Sequence, residues 1–385
     1  MHKNLARGRC AAIFCTAAAL ICLSASAHAQ IAPLVSPLVA PLVAPLLAPP
    51  LRVAFLYVSP IGNAGWTHQH DLGRIAMQKA LGDKVNTTVV ESVNEGADSE
   101  RVMRDLAQQG HQLIFATSFG YLEPALRVAA EFPGVKFEHA GGYKTAANLK
   151  TYNVRYYEAR YLAGMLAGKT SRSGTAGYVA GFPVPEVIQG INAFALGMRS
   201  VNPKAQVKVL WLNTWFDPAR EREAAQTLIN QGADVLTNHS GSSAVAQTAE
   251  DNFKAKGTRM VAYQSDMRAV APNAQLTAIV HQWGGYYTAV AKSVLAGTWK
   301  PQPVWGNMKQ GFVALSPLAS GVRADVAAML KARQQAIEAG SFKPFGAPLI
   351  DAEGKVRLHS GALSDADIGA MNWFVRGVVG SLPKP

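Results

Sequence analysis

The sequence predicts an α/β protein of two doubly wound, parallel-sheet lobes joined by a hinge, and three observations carry that prediction. From Leu51 onwards short apolar strand patterns alternate with helical ones, the pattern of a parallel sheet covered by helices on both faces. The alternation runs through two similar series. About 330 residues follow the N-terminal region, more than one hydrophobic core usually organises.

In the first series the strand patterns fall at 53–58, 87–93, 113–117 and 136–139, with helical periodicity at about 70–81, 98–109 and 122–131 between them. A long helical pattern at 156–170, carrying the small residues Ala159, Gly164 and Ala167, leads to the second series. Its strands are expected at 176–179, 207–212, 235–238, 260–263 and 276–280. A helix at 219–231 follows the Asp217-Pro218 cap. This gives an N-terminal lobe at 51–165 and a C-terminal lobe at 166–290. The remainder, 291–385, with a strand near 311–315 and a helix at 365–375, is expected to return and pack mainly on the N-terminal lobe.

Two segments precede the fold. Residues 1–29 have the form of a secretory signal: Lys3, Arg7 and Arg9, an apolar run, and Ala27-His-Ala29 before Gln30. The run is too short to span a bilayer, where about 20 apolar residues are needed. Export to the periplasm is the expectation, without a lipid anchor, because Ile21 directly before Cys22 suits a lipobox poorly. All three cysteines, Cys10, Cys15 and Cys22, lie in the leader, so the mature chain has no disulfide, thiol nucleophile or Cys-bound metal. Residues 30–50 repeat a Pro-Leu-Val-Ala unit, whose prolines exclude a regular helix and mark an extended spacer.

The formal charge of +12 falls to +9 once the leader is removed. The basic residues are scattered rather than gathered into a run or an aromatic-laced stripe, so nucleic acid is not the expected partner.

In an open α/β sheet the ligand lies outside the carboxyl ends of the strands. Four strand-end loops are conspicuous. After the first strand comes Ser59-Pro-Ile-Gly-Asn-Ala-Gly-Trp-Thr67, where a dinucleotide enzyme would carry G-x-G-x-x-G. Trp66, flanked by Asn63 and Thr67, suits a flat uncharged ring rather than a phosphate. The other loops are Ser118-Phe-Gly-Tyr121, Asn213-Thr-Trp-Phe-Asp-Pro218 and Gln264-Ser-Asp-Met267, two from each lobe. Aromatics at equivalent points of two lobes would sandwich a planar ring, while a carboxylate such as Asp266 could accept two hydrogen bonds from a purine edge. Glu186, in Phe182-Pro-Val-Pro-Glu186, follows the first strand of the second lobe. It reads either as a ligand contact or as a first-turn helix carboxylate.

With Ile61-Gly-Asn-Ala-Gly-Trp66 and Thr117-Ser-Phe-Gly-Tyr121, these segments resemble the BMP (basic membrane protein) family of ABC-transporter substrate-binding proteins over nearly all of 51–383. The resemblance implies a type I periplasmic-binding-protein fold and a purine nucleoside or nucleobase as ligand. It implies stacking by Trp66, Phe119 and Trp215 and base reading by Asp266; Asn63, Ser118, Glu186, Gln264 and His281 are expected as further contacts. Asn63-Ala-Gly-Trp-Thr67 departs from the family's Asp-x-Ser/Gly-Phe-Asn pattern, and His281 stands where many members have a ribose-contacting lysine. Both departures favour a bare base such as adenine.

The expected partners are a small molecule and an inner-membrane ABC permease, with the receptor a monomer. No cofactor and no metal are expected: His68 and His70 face apart on a helix, and no third ligand has metalloenzyme spacing. The Ser240-Gly-Ser-Ser243 turn reads as an anion site or as simple capping. No G-x-S-x-G, H-E-x-x-H or P-loop is present, so the chain is not expected to be an enzyme. The rival readings are a nucleoside hydrolase using the same cleft and a receptor for another small solute.

Overall fold

The computed structural model describes residues 49–383. The expected leader (1–29) and residues 30–48 of the expected spacer lie outside the described residues.

The first part of the fold is the order β1 (Leu51–Leu56), α1 (Trp66–Leu81), β2 (Val85–Val90), α2 (Ala97–Gln108), β3 (Leu113–Ala116), α3 (Leu122–Glu131), β4 (Lys136–Ala140) and β5 (Leu149–Val154). Then come α4 (Tyr156–Thr170), β6 (Thr175–Ala180), α5 (Pro185–Val201), β7 (Gln206–Trp211), α6 (Pro218–Asn230), β8 (Val235–His239), α7 (Ala244–Asp251), α8 (Phe253–Lys256), β9 (Arg259–Gln264), β10 (Gln275–His281) and α9 (Trp283–Leu295). The last part holds β11 (Val304–Gly306), β12 (Val313–Leu315), α10 (Ala324–Glu338), the small ribbon β13 (Leu349–Ile350) and β14 (Val356–Leu358), α11 (Asp365–Gly369) and β15 (Val378–Val379).

Two sheets result, ordered β11-β5-β4-β3-β1-β2 and β12-β10-β9-β8-β6-β7-β15. Every pairing in them is parallel except β12 against β10. Strands buried on both faces explain the near-continuous apolar runs, such as Val53-Ala-Phe-Leu56, fully buried throughout. Helix α4 is buried on nearly every face because it packs along α5. Helix α9 lies on α1, where Gly73 and Gly284 admit the close approach: a Cβ on Gly73 would come within 2.6 Å of Trp283 Cβ.

The expected elements differ from the observed ones in three places. Strand β5 escapes the pattern because it buries Lys150, whose amine lies 3.3 Å from the fully buried Glu138 of β4. The tail helix expected at 365–375 ends at Gly369, because Asn192 of α5 takes the following segment in extended form. Its amide donates to Trp373 O and its oxygen accepts from Val375 N, delivering β15 to the edge of β7. The return of 291–385 mainly onto the first lobe is also corrected. Strand β11 joins the first sheet, but β12 and β15 join the second, and α10 packs on α4. The chain thus passes between the sheets after β5, after β10 and again between β11 and β12. The expected boundary at 165/166 falls within α4.

The Glu138 site makes stability depend on pH. Burial pushes its carboxyl up to about 7, opposed by Lys150 and by hydrogen bonds from Tyr286 Oη (2.6 Å) and Trp299 Nε1 (2.7 Å). An unfolded glutamate titrates near 4.3, so between that value and about 7 the folded state holds more protons and stability falls as pH rises. Over this window the group contributes on the order of 3 kcal/mol. Glu138→Gln should flatten that slope in urea titrations run from pH 4.5 to 8, whatever it does to absolute stability; an unaltered slope refutes the assignment.

Candidate functional site

The carboxyl ends of β1, β3 and β4 in one sheet and of β6, β7, β8 and β9 in the other border one shared cavity. Its wall includes Trp66, Phe119, Trp215 and Phe216, together with Ser59, Ser118, Glu186, His239, Ser240, Gly241 and Gln264.

Each side chain is held there by local chemistry. Gly65, at φ 96°, turns the chain out of β1 so that Trp66 opens α1. The indole N–H donates to Thr117 O (2.7 Å) at the end of β3, and the ring rests on His70 with centroids 4.4 Å apart. Burial holds the His70 imidazole well below its ordinary range, and its Nδ1 meets the Tyr287 hydroxyl. Phe119 begins a short turn fixed by Glu95, whose Oε1 accepts from Ser118 Oγ (2.6 Å) and Gly120 N (2.8 Å). Trp215 lies edge-on to Phe182 at 4.9 Å and close over Gly181, where a Cβ would stand 2.8 Å from the ring. Asp217 then caps α6 by accepting from Arg220 N.

Glu186 sits in the first turn of α5, its side chain 16% exposed and its Oε1 3.4 Å from His239 Nε2. Burial lowers the His239 pKa, with Glu186 pulling the other way and the Arg160 charge adding to the fall. Arg160 is completely buried. It reaches from α4 to Thr237 Oγ1 (3.0 Å) and Asn238 O (2.8 Å) and stacks 3.5 Å over Tyr263, fixing the end of β8 on which His239 stands.

Six of the nine expected contacts therefore line one cavity: Trp66, Ser118, Phe119, Glu186, Trp215 and Gln264. Three do not. Asn63 is exposed. Asp266 is exposed too, and its carboxylate braces its own loop, accepting from Arg268 N (3.0 Å) and Gln275 Nε2 (2.7 Å). His281 is fully buried among Trp66, Tyr156 and Tyr263, and both ring nitrogens lack a partner among the described residues. Asp266 and His281 thus stand outside the cavity lining: the Asp266 Oδ1 is engaged within its own loop, and the His281 ring lies in the aromatic layer behind Trp66. The Ser240-Gly-Ser-Ser243 turn is not an anion site, since Ser240 Oγ and Ser242 Oγ both donate to the buried Glu221 (2.8 and 2.7 Å).

Sequence reasoning missed His239 and Gly141, whereas Phe216, the alternative to Trp215 as the ligand-facing aromatic of its loop, lines the cavity beside it. The strand-end rule could have found His239, which directly ends β8.

The lobes touch across the cavity mouth. Gly65 N donates to Ser265 Oγ (2.8 Å), and a Cβ on Gly65 would fall 2.0 Å from Gly241 O. Among the described residues no helix is long and apolar enough to cross a membrane.

Comparison with known proteins agrees with this geometry. The chain is 48% identical to a purine-binding protein of Brucella abortus, over 87% of this chain and 94% of that one. It is 36% identical to a Haloferax volcanii protein described as a candidate ABC transporter glucose-binding protein, over 87% of this chain and 82% of the relative. A solved ABC transporter solute-binding protein from Aeropyrum pernix superposes with a TM-score of 0.66 at 19% identity, covering 76% of this chain and 93% of that one, a likeness of fold alone. Residues 51–341 match the family described as ABC transporter substrate-binding protein, PnrA-like, and the chain belongs to this Bmp family.

Proposed function

We propose that the protein is a periplasmic receptor that holds a purine base or nucleoside between its lobes and presents it, chemically unchanged, to an inner-membrane ABC permease. The observation that carries this reading is one cavity walled by aromatic side chains from both sheets, with a carboxylate and no Lys or Arg in its lining. Such a wall stacks on a flat ring and offers nothing to a phosphate, which argues against nucleotides. The purine-binding relative supports the same ligand class. Two stacked faces at about 1–3 kcal/mol each, with a few hydrogen bonds, give roughly 8 kcal/mol, or micromolar affinity. The leader at 1–29 and the spacer belong to the same reading, as does action as a monomer.

Calorimetric titration of the mature chain with adenine, guanine, hypoxanthine, their nucleosides and glucose tests the proposal. Binding of glucose but no purine would refute it in favour of another solute. Release of free base from a nucleoside would make the protein an enzyme.

Trp66→Ala should weaken purine binding by about 1–3 kcal/mol, the value of one stacking face, with a smaller effect on melting temperature. Unchanged affinity with a large drop in melting temperature would reduce Trp66 to a packing residue.

A further inference from the structure

The polar groups of the cavity wall fall into two sets. In the first, every hydroxyl is already engaged: Ser59 Oγ with Thr67 Oγ1 at 2.7 Å, Ser118 Oγ with Glu95, and Ser240 Oγ with Glu221. The second set is Glu186, His239 and Gln264. Glu186 receives no hydrogen bond from the described residues beyond its 3.4 Å approach to His239 Nε2. A proton on that Nε2, facing the carboxylate, leaves a lone pair on Nδ1, which is buried and has no partner. Gln264 is 3% exposed, its Oε1 is buried without a partner, and its backbone is held at φ 75°. A non-glycine residue in the left-handed region carries strain, and here that turn places the amide at the cavity while sending Ser265 to Gly65.

Glu186, His239 and Gln264 thus all line one cavity, and among the described residues each keeps acceptor capacity that no hydrogen bond uses. A half-buried carboxylate with so little hydrogen bonding has acceptor capacity to offer, and a ligand rich in N–H groups would fill it. We infer that this wall selects planar heterocycles presenting contiguous N–H donors, and so takes guanine, whose N1–H stands beside its 2-amino group, and adenine as the tautomer with its proton on N7 beside the 6-amino group, in preference to the oxo-only purine hypoxanthine. The inference rests on the purine reading above and names the edge chemistry within it. A 6-oxo group turned towards Glu186 would set two acceptors against each other. An amino group beside a ring N–H satisfies the carboxylate twice.

The experiment is calorimetry of the mature protein with adenine, guanine and hypoxanthine, repeated on Glu186→Gln. The better amino-purine should bind about 10–100-fold more tightly than hypoxanthine, the scale of a hydrogen bond to a charged group. Glu186→Gln should close that gap, weakening the amino-purine and strengthening hypoxanthine, because an amide can donate where a carboxylate cannot. Hypoxanthine binding as well as the amino-purines overturns the inference while purine capture stands. A gap unchanged in the variant overturns the role given to Glu186. Failure of all three to bind removes the purine reading and this inference with it. Should the variant not fold, the ranking measured on the unaltered protein still decides.

Discussion

Gly65→Ala is expected to lower ligand affinity about 100-fold and to cost the ligand-free chain about 1–3 kcal/mol of stability through backbone strain. Two independent effects act at this position. The residue has φ 96°, where an alanine carries strain of about 1–3 kcal/mol. The added Cβ would also stand 2.0 Å from Gly241 O and 3.0 Å from its carbonyl carbon, backbone atoms that no side-chain rotation can clear. The clash exists only while the loop after β1 lies on the loop after β8. The variant can relieve it by opening the cleft, which sacrifices the Gly65 N to Ser265 Oγ hydrogen bond and draws Trp66 away from Trp215. Binding must then work against the open state, and apparent affinity falls by the fraction of molecules still able to close. Small-angle scattering should show ligand-induced compaction in the unaltered protein and none in the variant, with calorimetry giving the affinity. Normal affinity in the variant would mean that this contact is no part of the ligand-bound form.

The same loop shows what the sequence makes legible and what it conceals. Its aromatic residue and its place after the first strand were readable, because strand-end position and residue type are local properties. So were Phe119 and Trp215, and the alternation of strands and helices that builds both sheets. Asp266 could not be placed, because its carboxylate is used by Gln275, nine residues further on, and by the backbone of its own turn. No one-dimensional pattern records that competition. His281 presents the same difficulty. It stands at the end of β10, as a ligand contact should, but the chain leaves the second sheet at that point and the ring is enclosed by Trp66, Tyr156 and Tyr263. Strand β5 was hidden because a buried Lys150 satisfies a buried Glu138, which defeats any rule that charge means surface. The tail divides between two sheets for a similar reason: one side chain, Asn192, decides where 373–375 lies.

Helix α4 carries the second large effect, with a sign opposite to the usual one. Glycine inside a helix normally costs about 1 kcal/mol relative to alanine, so Gly→Ala there is normally stabilising. Gly164→Ala and Gly197→Ala are expected instead to destabilise the protein by about 3 kcal/mol each, near the upper end for an overpacked core. A Cβ on Gly164 would lie 2.0 Å from Phe194 O, and one on Gly197 would lie 2.0 Å from Tyr161 O, so each helix is pressed against the backbone of the other. Gly168, four residues beyond Gly164, repeats the contact at 2.6 Å from Met198 O. Relief requires α4 and α5 to move apart, and both helices carry site residues. Glu186 stands at the start of α5. From α4, Arg160 grips Thr237 and Asn238, and so fixes the strand end that carries His239. Loss of ligand affinity should therefore accompany loss of stability in both variants, although neither glycine touches the cavity. Gly285→Ala is the internal control, since that position lies in α9 with no atom within 4 Å of the added Cβ; it should be neutral or gain up to about 1 kcal/mol. Urea denaturation of the three variants, with purine affinity measured alongside, separates close helix packing from a general response to glycine substitution. Equal stability changes at 164, 197 and 285 would refute the argument.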